Sequence, residues 1–217
     1  MPEAAPLLAF PLLGLAAGVL TTIAGQGGGL LLLLACSTLV GPHRALAITA
    51  PALLLGNVHR TVLLRAHIDR PIAGRMIVGA IPGALAGGLL AGWMPASALR
   101  VVLVVMTMLA VAKALGVVRF RVPHAALVPA GAVLGALTGT AGGAGVLQAP
   151  LLLSAGLGGR TFVATSSCVA VAMHVGRVAG YAGLGLFSRS LVLPTVAVAV
   201  AIFAGNAAGD RLRTRLV

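Results

Sequence analysis

Two apolar stretches of this chain are too long for a single membrane crossing, and each carries a run of glycines near its middle. The first spans Leu7 to Val40, with Ala24-Gly25-Gln26-Gly27-Gly28-Gly29 inside it. Roughly 34 residues of straight helix would reach about 51 Å, against a hydrocarbon core of about 30 Å. Glycine is also a poor helix-interior residue, because it loses the most backbone freedom and covers none of the backbone. The segment is therefore expected to bend sharply at the glycines, or to dip into the bilayer and return. Ala125 to Gly158 repeats the pattern around Gly139-Thr140-Ala141-Gly142-Gly143-Ala144-Gly145. Paired interruptions in corresponding halves of a membrane chain point to a transport site.

Composition makes the membrane unavoidable. The 217 residues are 59% hydrophobic and 8% charged, whereas a soluble domain carries about 25% charged residues. Such a chain cannot cover a water-facing surface, so the expected fold is all-α, multi-pass and embedded in the lipid bilayer. The first segment lacks a basic n-region and flows into further apolar sequence, so it reads as a span and not as a cleaved leader. Fifteen Lys and Arg face only Glu3, Asp69 and Asp210, for a net charge of +12. These cations are scattered at segment ends, where they anchor to headgroups. Without interleaved aromatics they do not suit nucleic acid, although their field favours anions. Cys36 and Cys168 lie in apolar segments and read as packing residues.

The remaining segments are Ala45 to Leu64, Ile72 to Met94, Ala96 to Val118, Thr161 to Leu186 and Leu191 to Gly209, which makes seven. Pro42, His43 and Arg44 are expected to end the first segment, and Asp210 to Arg215 to form a charged stop. Gly83 and Gly87 have the spacing of a close helix contact. The two halves repeat. Gly14, Gly18, Thr21, Ala24, Gly25 and Gly28 fall on Gly131, Gly135, Thr138, Ala141, Gly142 and Gly145 at a constant offset. Thr49 answers to Thr165 and Arg60 to Arg177, with one gap between, and Gly83 and Gly87 answer to Gly205 and Gly209. Residues 1–118 thus form a first repeat of four segments. Residues 119–217 form a second of three, with no counterpart of the fourth; a homodimer is one way to compensate.

A helix broken at membrane depth exposes N–H groups at one new end, which carries partial positive charge. Successive free amides make a nest for an oxyanion. On this reasoning the candidate substrate-binding residues are Gly25, Gln26, Gly27 and Gly28 at the first break and Gly142, Gly143 and Gly145 at the second. The hydroxyls of Thr49, Thr165 and Ser166 add donors. Arg177, about ten residues from Phe187 and hence about 15 Å deep if helical, adds charge, since intramembrane charge is usually functional. Arg60 lies near the end of its span and is expected to snorkel to the interface. Asn57, His59 and His174 read as packing or hydrogen-bonding residues.

No carboxylate lies at membrane depth, which leaves a conventional proton or sodium relay without support. Outward movement of an anion needs no coupling ion in principle. An interior-negative potential contributes about 2.3 kcal/mol per charge per 100 mV in that direction. No nucleophile–base pair, metal cluster or cofactor motif is evident, so an enzyme is not expected.

The assembled pattern resembles the sulfite exporter family (TauE/SafE), whose members move sulfur-containing and related organic anions across bacterial inner membranes. The likeness rests on Gly25-Gln26-Gly27-Gly28-Gly29, Pro42-His43-Arg44-Ala45, Ile68-Asp69 and Ile81-Pro82-Gly83-Ala84-Leu85-Ala86-Gly87 in the first half. In the second it rests on Gly142-Gly143-Ala144-Gly145, Ala164-Thr165-Ser166-Ser167 and Gly205-Asn206-Ala207-Ala208-Gly209. Ala164 departs from the family's glycine at that place, and Thr49-Ala50-Pro51 from its Thr-Ser. The resemblance implies export of a small oxyanion such as sulfite or an organosulfonate, at a bacterial inner membrane. Two other readings share the same features: an anion channel, and a non-transporting scaffold whose glycines serve helix packing.

Overall fold

A computed structural model describes residues 4–24, 26–115, 123–142 and 145–216. Among these the fold is all-α, with nine α-helices and no strand. They are α1 (Ala4–Ala24), α2 (Gly28–Val40), α3 (Pro42–Leu63), α4 (Arg70–Trp93) and α5 (Ala96–Ala114), then α6 (Leu127–Ala141), α7 (Gly145–Ser154), α8 (Gly159–Gly183) and α9 (Val192–Leu216). The first over-long segment therefore contributes α1 and α2, and the fifth contributes α6 and α7. The expected boundary between halves, at Val118 and Arg119, lies outside the described residues.

Local chemistry explains the ends. Pro42 opens α3 and does not merely close the segment before it. Gly41, at φ +81°, makes the corner, and Pro42 occupies the first turn. There its missing N–H costs nothing and its fixed φ suits a helix. Asp69 caps α4, accepting a 3.0 Å bond from the Ile72 amide, as a short carboxylate at that position should. The charged tail does not stop the last helix, since α9 continues to Leu216. Its arginines are good helix formers once the chain leaves the apolar region.

Among the described residues, four helices are long and apolar enough to cross a bilayer: Pro42–Leu63, Arg70–Trp93, Gly159–Gly183 and the stretch Arg189–Leu212. Apolar helices do not attract one another in lipid through the hydrophobic effect, so their packing depends on close backbone approach. The α4–α6 contact shows it. Gly79, Gly83 and Gly87 of α4 face the backbone carbonyls of Val128, Ala132 and Ala136. Gly131, Gly135 and Gly139 of α6 face those of Met76, Ala80 and Ala84. A methyl group at any of these six would strike the opposite backbone. Helix α1 meets α9 in the same manner, through Gly14 and Gly18 on one side and Gly205 on the other. Helices α3 and α8 cross between these two tight pairs and carry the polar residues of the interior.

Candidate functional site

The two interruptions meet in the interior. At the first, Gly27 adopts φ +100°, and its carbonyl accepts from the Leu30 and Leu31 amides to start α2. The first turn of α2 then lies against α1, for a β-carbon on Gly28 would collide with the Ala17 carbonyl and the Thr21 hydroxyl. At the second, Gly142 takes φ +67° and closes α6 by donating to the Thr138 carbonyl at 2.8 Å. Gly25, Gly143 and Ala144 lie outside the described residues.

Between the interruptions sits a cavity of about 70 Å³, room for a few waters or one small oxyanion. The first turns of α2 and α7 reach it through Gly29 and Leu30 and through Gly145 and Val146. Helix N-termini are the positive ends of the backbone dipole. Leu53, Met173 and Ile202 supply an apolar wall. All four carboxamide side chains of the sequence, Gln26, Asn57, Gln148 and Asn206, line this one cavity. Thr21, Thr138, Ser166, His174 and Arg60 complete its polar side chains.

Each polar group can be traced. Gln26 bridges the two interruptions: its amide nitrogen donates to the Ser166 hydroxyl at 2.9 Å, and its carbonyl accepts from the Ala149 amide at 3.1 Å. Asn206 accepts from the Thr22 hydroxyl and donates to the Gly56 carbonyl, both at 3.1 Å, tying α9 to α1 and α3. Asn57 donates to the Leu53 carbonyl at 2.8 Å and accepts from Arg60 Nη2. Arg60 itself is only 5% exposed, and its Nε and Nη1 have no hydrogen-bond partner. His174, also 5% exposed, leaves Nδ1 unpartnered, and Gln148 leaves Oε1 so. Buried polar groups are ordinarily paired; here Arg60, His174 and Gln148, all on the lining of one cavity, each leave at least one atom unpaired.

Arg177 is placed differently from its repeat partner. It is fully buried, and it lies outside the cavity lining. Its Nε donates to the Tyr181 hydroxyl at 3.0 Å, and its Nη2 to Thr49 Oγ1 at 3.2 Å and the Leu46 carbonyl at 3.4 Å. Tyr181 in turn donates to the Gly139 carbonyl at 2.6 Å. A β-carbon on Gly142 would lie 2.9 Å from Arg177 Nη1 and Nη2. The guanidinium thus sits at the carbonyl end of α6, where a cation offsets the dipole.

Of the residues singled out from sequence, the cavity gathers Gln26, Gly27, Gly142, Gly145 and Ser166. Gly28, Thr49, Thr165 and Arg177 are buried near it without lining it. Thr165 accepts from the Asp69 amide at 2.9 Å, and Thr49 from Arg177. Arg60 does not snorkel: it turns inward, beside Asn57 one helical turn earlier. Gln148 and Asn206 were not anticipated. Their signal was available in the rarity of carboxamides, two Gln and two Asn in 217 residues.

Several long apolar helices packed through close backbone contacts are those of a multi-pass membrane protein. The sequence profile of the sulfite exporter TauE/SafE family matches residues 10–217. The chain belongs to that family, whose members are transporters and not enzymes. No curated protein and no solved structure matches it.

Proposed function

We propose that this protein exports a small oxyanion, sulfite or an organosulfonate, across a bacterial inner membrane through the cavity between its two interrupted helices. The observation that carries the reading is Arg60, a buried guanidinium with two unpartnered nitrogens on a wall shared with two helix N-termini. A buried cation is costly unless something negative joins it. Of the chain's side-chain carboxylates, Asp69 and Asp210 are among the described residues and neither lines the cavity; Glu3 lies outside them. An entering anion would supply the missing charge.

The working geometry is a pair of repeats, residues 1–118 and 119–217, rocking about the site. Two features support it. Helix α1 packs on α9 as α6 packs on α4, glycine against backbone in both. Leu13, Ala16, Ala17 and Leu20 line a groove beside α2, and their counterparts Ala130, Val133, Leu134 and Leu137 line one beside α7. Helix α5 has no counterpart among the nine. The broken-helix site lies between the repeats, and Gln26 would be a contact to open and remake on each cycle.

The test is flux from proteoliposomes under an imposed potential, with sulfite, sulfate, thiosulfate, sulfoacetate and chloride in parallel. Saturable, potential-driven sulfite efflux with solute counterflow is expected. Flux without counterflow would instead describe a channel. No flux of any anion from folded protein would leave a scaffold.

A further inference from the structure

We propose that the cavity selects anions that carry a proton, taking hydrogensulfite in preference to sulfite or sulfate, with the Gln148 side-chain carbonyl accepting the hydrogen bond of that proton. This rests on the transport reading and narrows it: of the oxyanions named there, hydrogensulfite is carried, while sulfonates, which have no such proton, pass slowly.

The inference comes from what the unpartnered groups can and cannot bind. Arg60 Nε and Nη1 are donors, and any oxyanion satisfies donors. Gln148 poses the opposite demand. It is 1% exposed and lies among the lining residues. Its amide nitrogen donates to the Ser166 carbonyl at 3.4 Å, the contact on which this orientation of the carboxamide rests. The remaining Oε1 is a pure acceptor with no partner. A fully ionised anion offers it only lone pairs, so the carbonyl would stay unsatisfied and repel the guest. A guest with one O–H satisfies both kinds of orphan at once. Discrimination of this sort is steep, because a buried polar group left unpaired carries its whole desolvation cost.

The charged and titratable side chains around Gln148 are few. Arg60 comes from α3 and His174 from α8, while Arg177 and Tyr181, also on α8, lie behind Gly142. The lining residues of α1, α2, α6, α7 and α9 bring none. His174 Nδ1, also unpartnered, offers a second place for the guest's proton when the ring tautomer leaves that nitrogen bare.

The deciding experiment compares sulfite with selenite, a near-isostere whose second ionisation lies at higher pH. Counterflow from proteoliposomes would be followed from mildly acidic to mildly alkaline pH, with sulfate and methanesulfonate as controls that lack a proton throughout. Sulfite transport should fall as pH rises through its own ionisation, and selenite transport should fall at correspondingly higher pH. Both controls should remain slow at every pH. In Gln148→Met, of similar volume, hydrogensulfite flux should drop about tenfold while the controls stay unchanged. A shared midpoint for sulfite and selenite would assign the effect to a protein group and overturn the proposal. So would sulfate moving as fast as sulfite, while leaving export itself intact. Absence of flux for every anion would remove the transport reading as well. The two-substrate comparison needs no variant, so a Gln148→Met protein that fails to fold does not decide the matter.

Discussion

Arg60 and Arg177 occupy the same place in the two halves of the chain, and they are handled in opposite ways. Arg177 donates to three oxygens, the Tyr181 hydroxyl one turn later, Thr49 and the Leu46 carbonyl, and leaves only Nη1 without a partner. Arg60 has Leu64 where Arg177 has Tyr181, and it bonds only Asn57. One arginine is therefore part of the frame, tying α8 to α3 beside the end of α6. The other is a charge kept available on a cavity wall. A duplicated structure can keep one copy of a costly group for architecture and free the other for binding, and a single residue four positions on is enough to divide the roles.

The largest effect should follow from removing the available charge. Arg60→Met is expected to reduce sulfite flux about a hundredfold, the range for truncating one partner of a buried charge contact. Its thermal stability in detergent should hold or rise, because an unpaired buried cation is being replaced by an apolar chain of similar length. Flux within twofold of the parent would end the binding role given to Arg60. Arg177→Met should do the reverse to the fold. Losing three charge-assisted bonds at the end of α6 is expected to cost about 3 kcal/mol, read as a lower unfolding midpoint. A stabilised Arg177→Met protein would mean the two roles are assigned the wrong way round.

Tyr181→Phe tests the same division more gently. It removes the hydroxyl that accepts from Arg177 and donates to Gly139, and should lower stability by about 1–2 kcal/mol. Because it unties Arg177 without touching the cavity wall, flux per folded molecule should stay near the parent value. A flux loss as large as that of Arg60→Met would show that Arg177 also meets the anion.

Much of the fold was legible in the sequence because lipid leaves few options. Apolar length alone marked where most helices lie, while which helix packs on which was not read from it. Pro42 misled as a terminator, since Gly-Pro reads equally as the end of one helix and the start of the next; only the turn at Gly41 decides. The site was legible in part. Glycine runs pointed to Gly27, Gly142 and Gly145, all on the cavity. Depth along the chain, however, was a poor guide to which arginine faces it. Arg60 sits in the last turn of α3 and is nonetheless buried, because α9 packs along that end of α3. Sequence position gives distance from a helix terminus, and tertiary packing gives distance from water. Gln148 escaped notice since a lone amide in an apolar run carries no periodic signal.

The smallest expected effects separate a glycine needed for space from one needed for the guest. Gly28 has no room for a methyl group, so Gly28→Ala should disturb the α1–α2 packing and says little about binding. Gly145 also opens a helix at the cavity, yet nothing lies within 4 Å of where its β-carbon would be, and no positive φ is recorded for it. Gly145→Ala should therefore fold with stability unchanged or raised by up to about 1 kcal/mol, alanine being the better helix former. The added methyl takes room only from the cavity. Hydrogensulfite should pass with a modest loss, about two- to threefold at most on the cost of minor overpacking, while the larger hydrogenselenite should be hindered more. A variant that folds normally and slows both anions equally would place the second interruption outside the substrate's path, leaving the first, with Arg60, as the part that meets the anion.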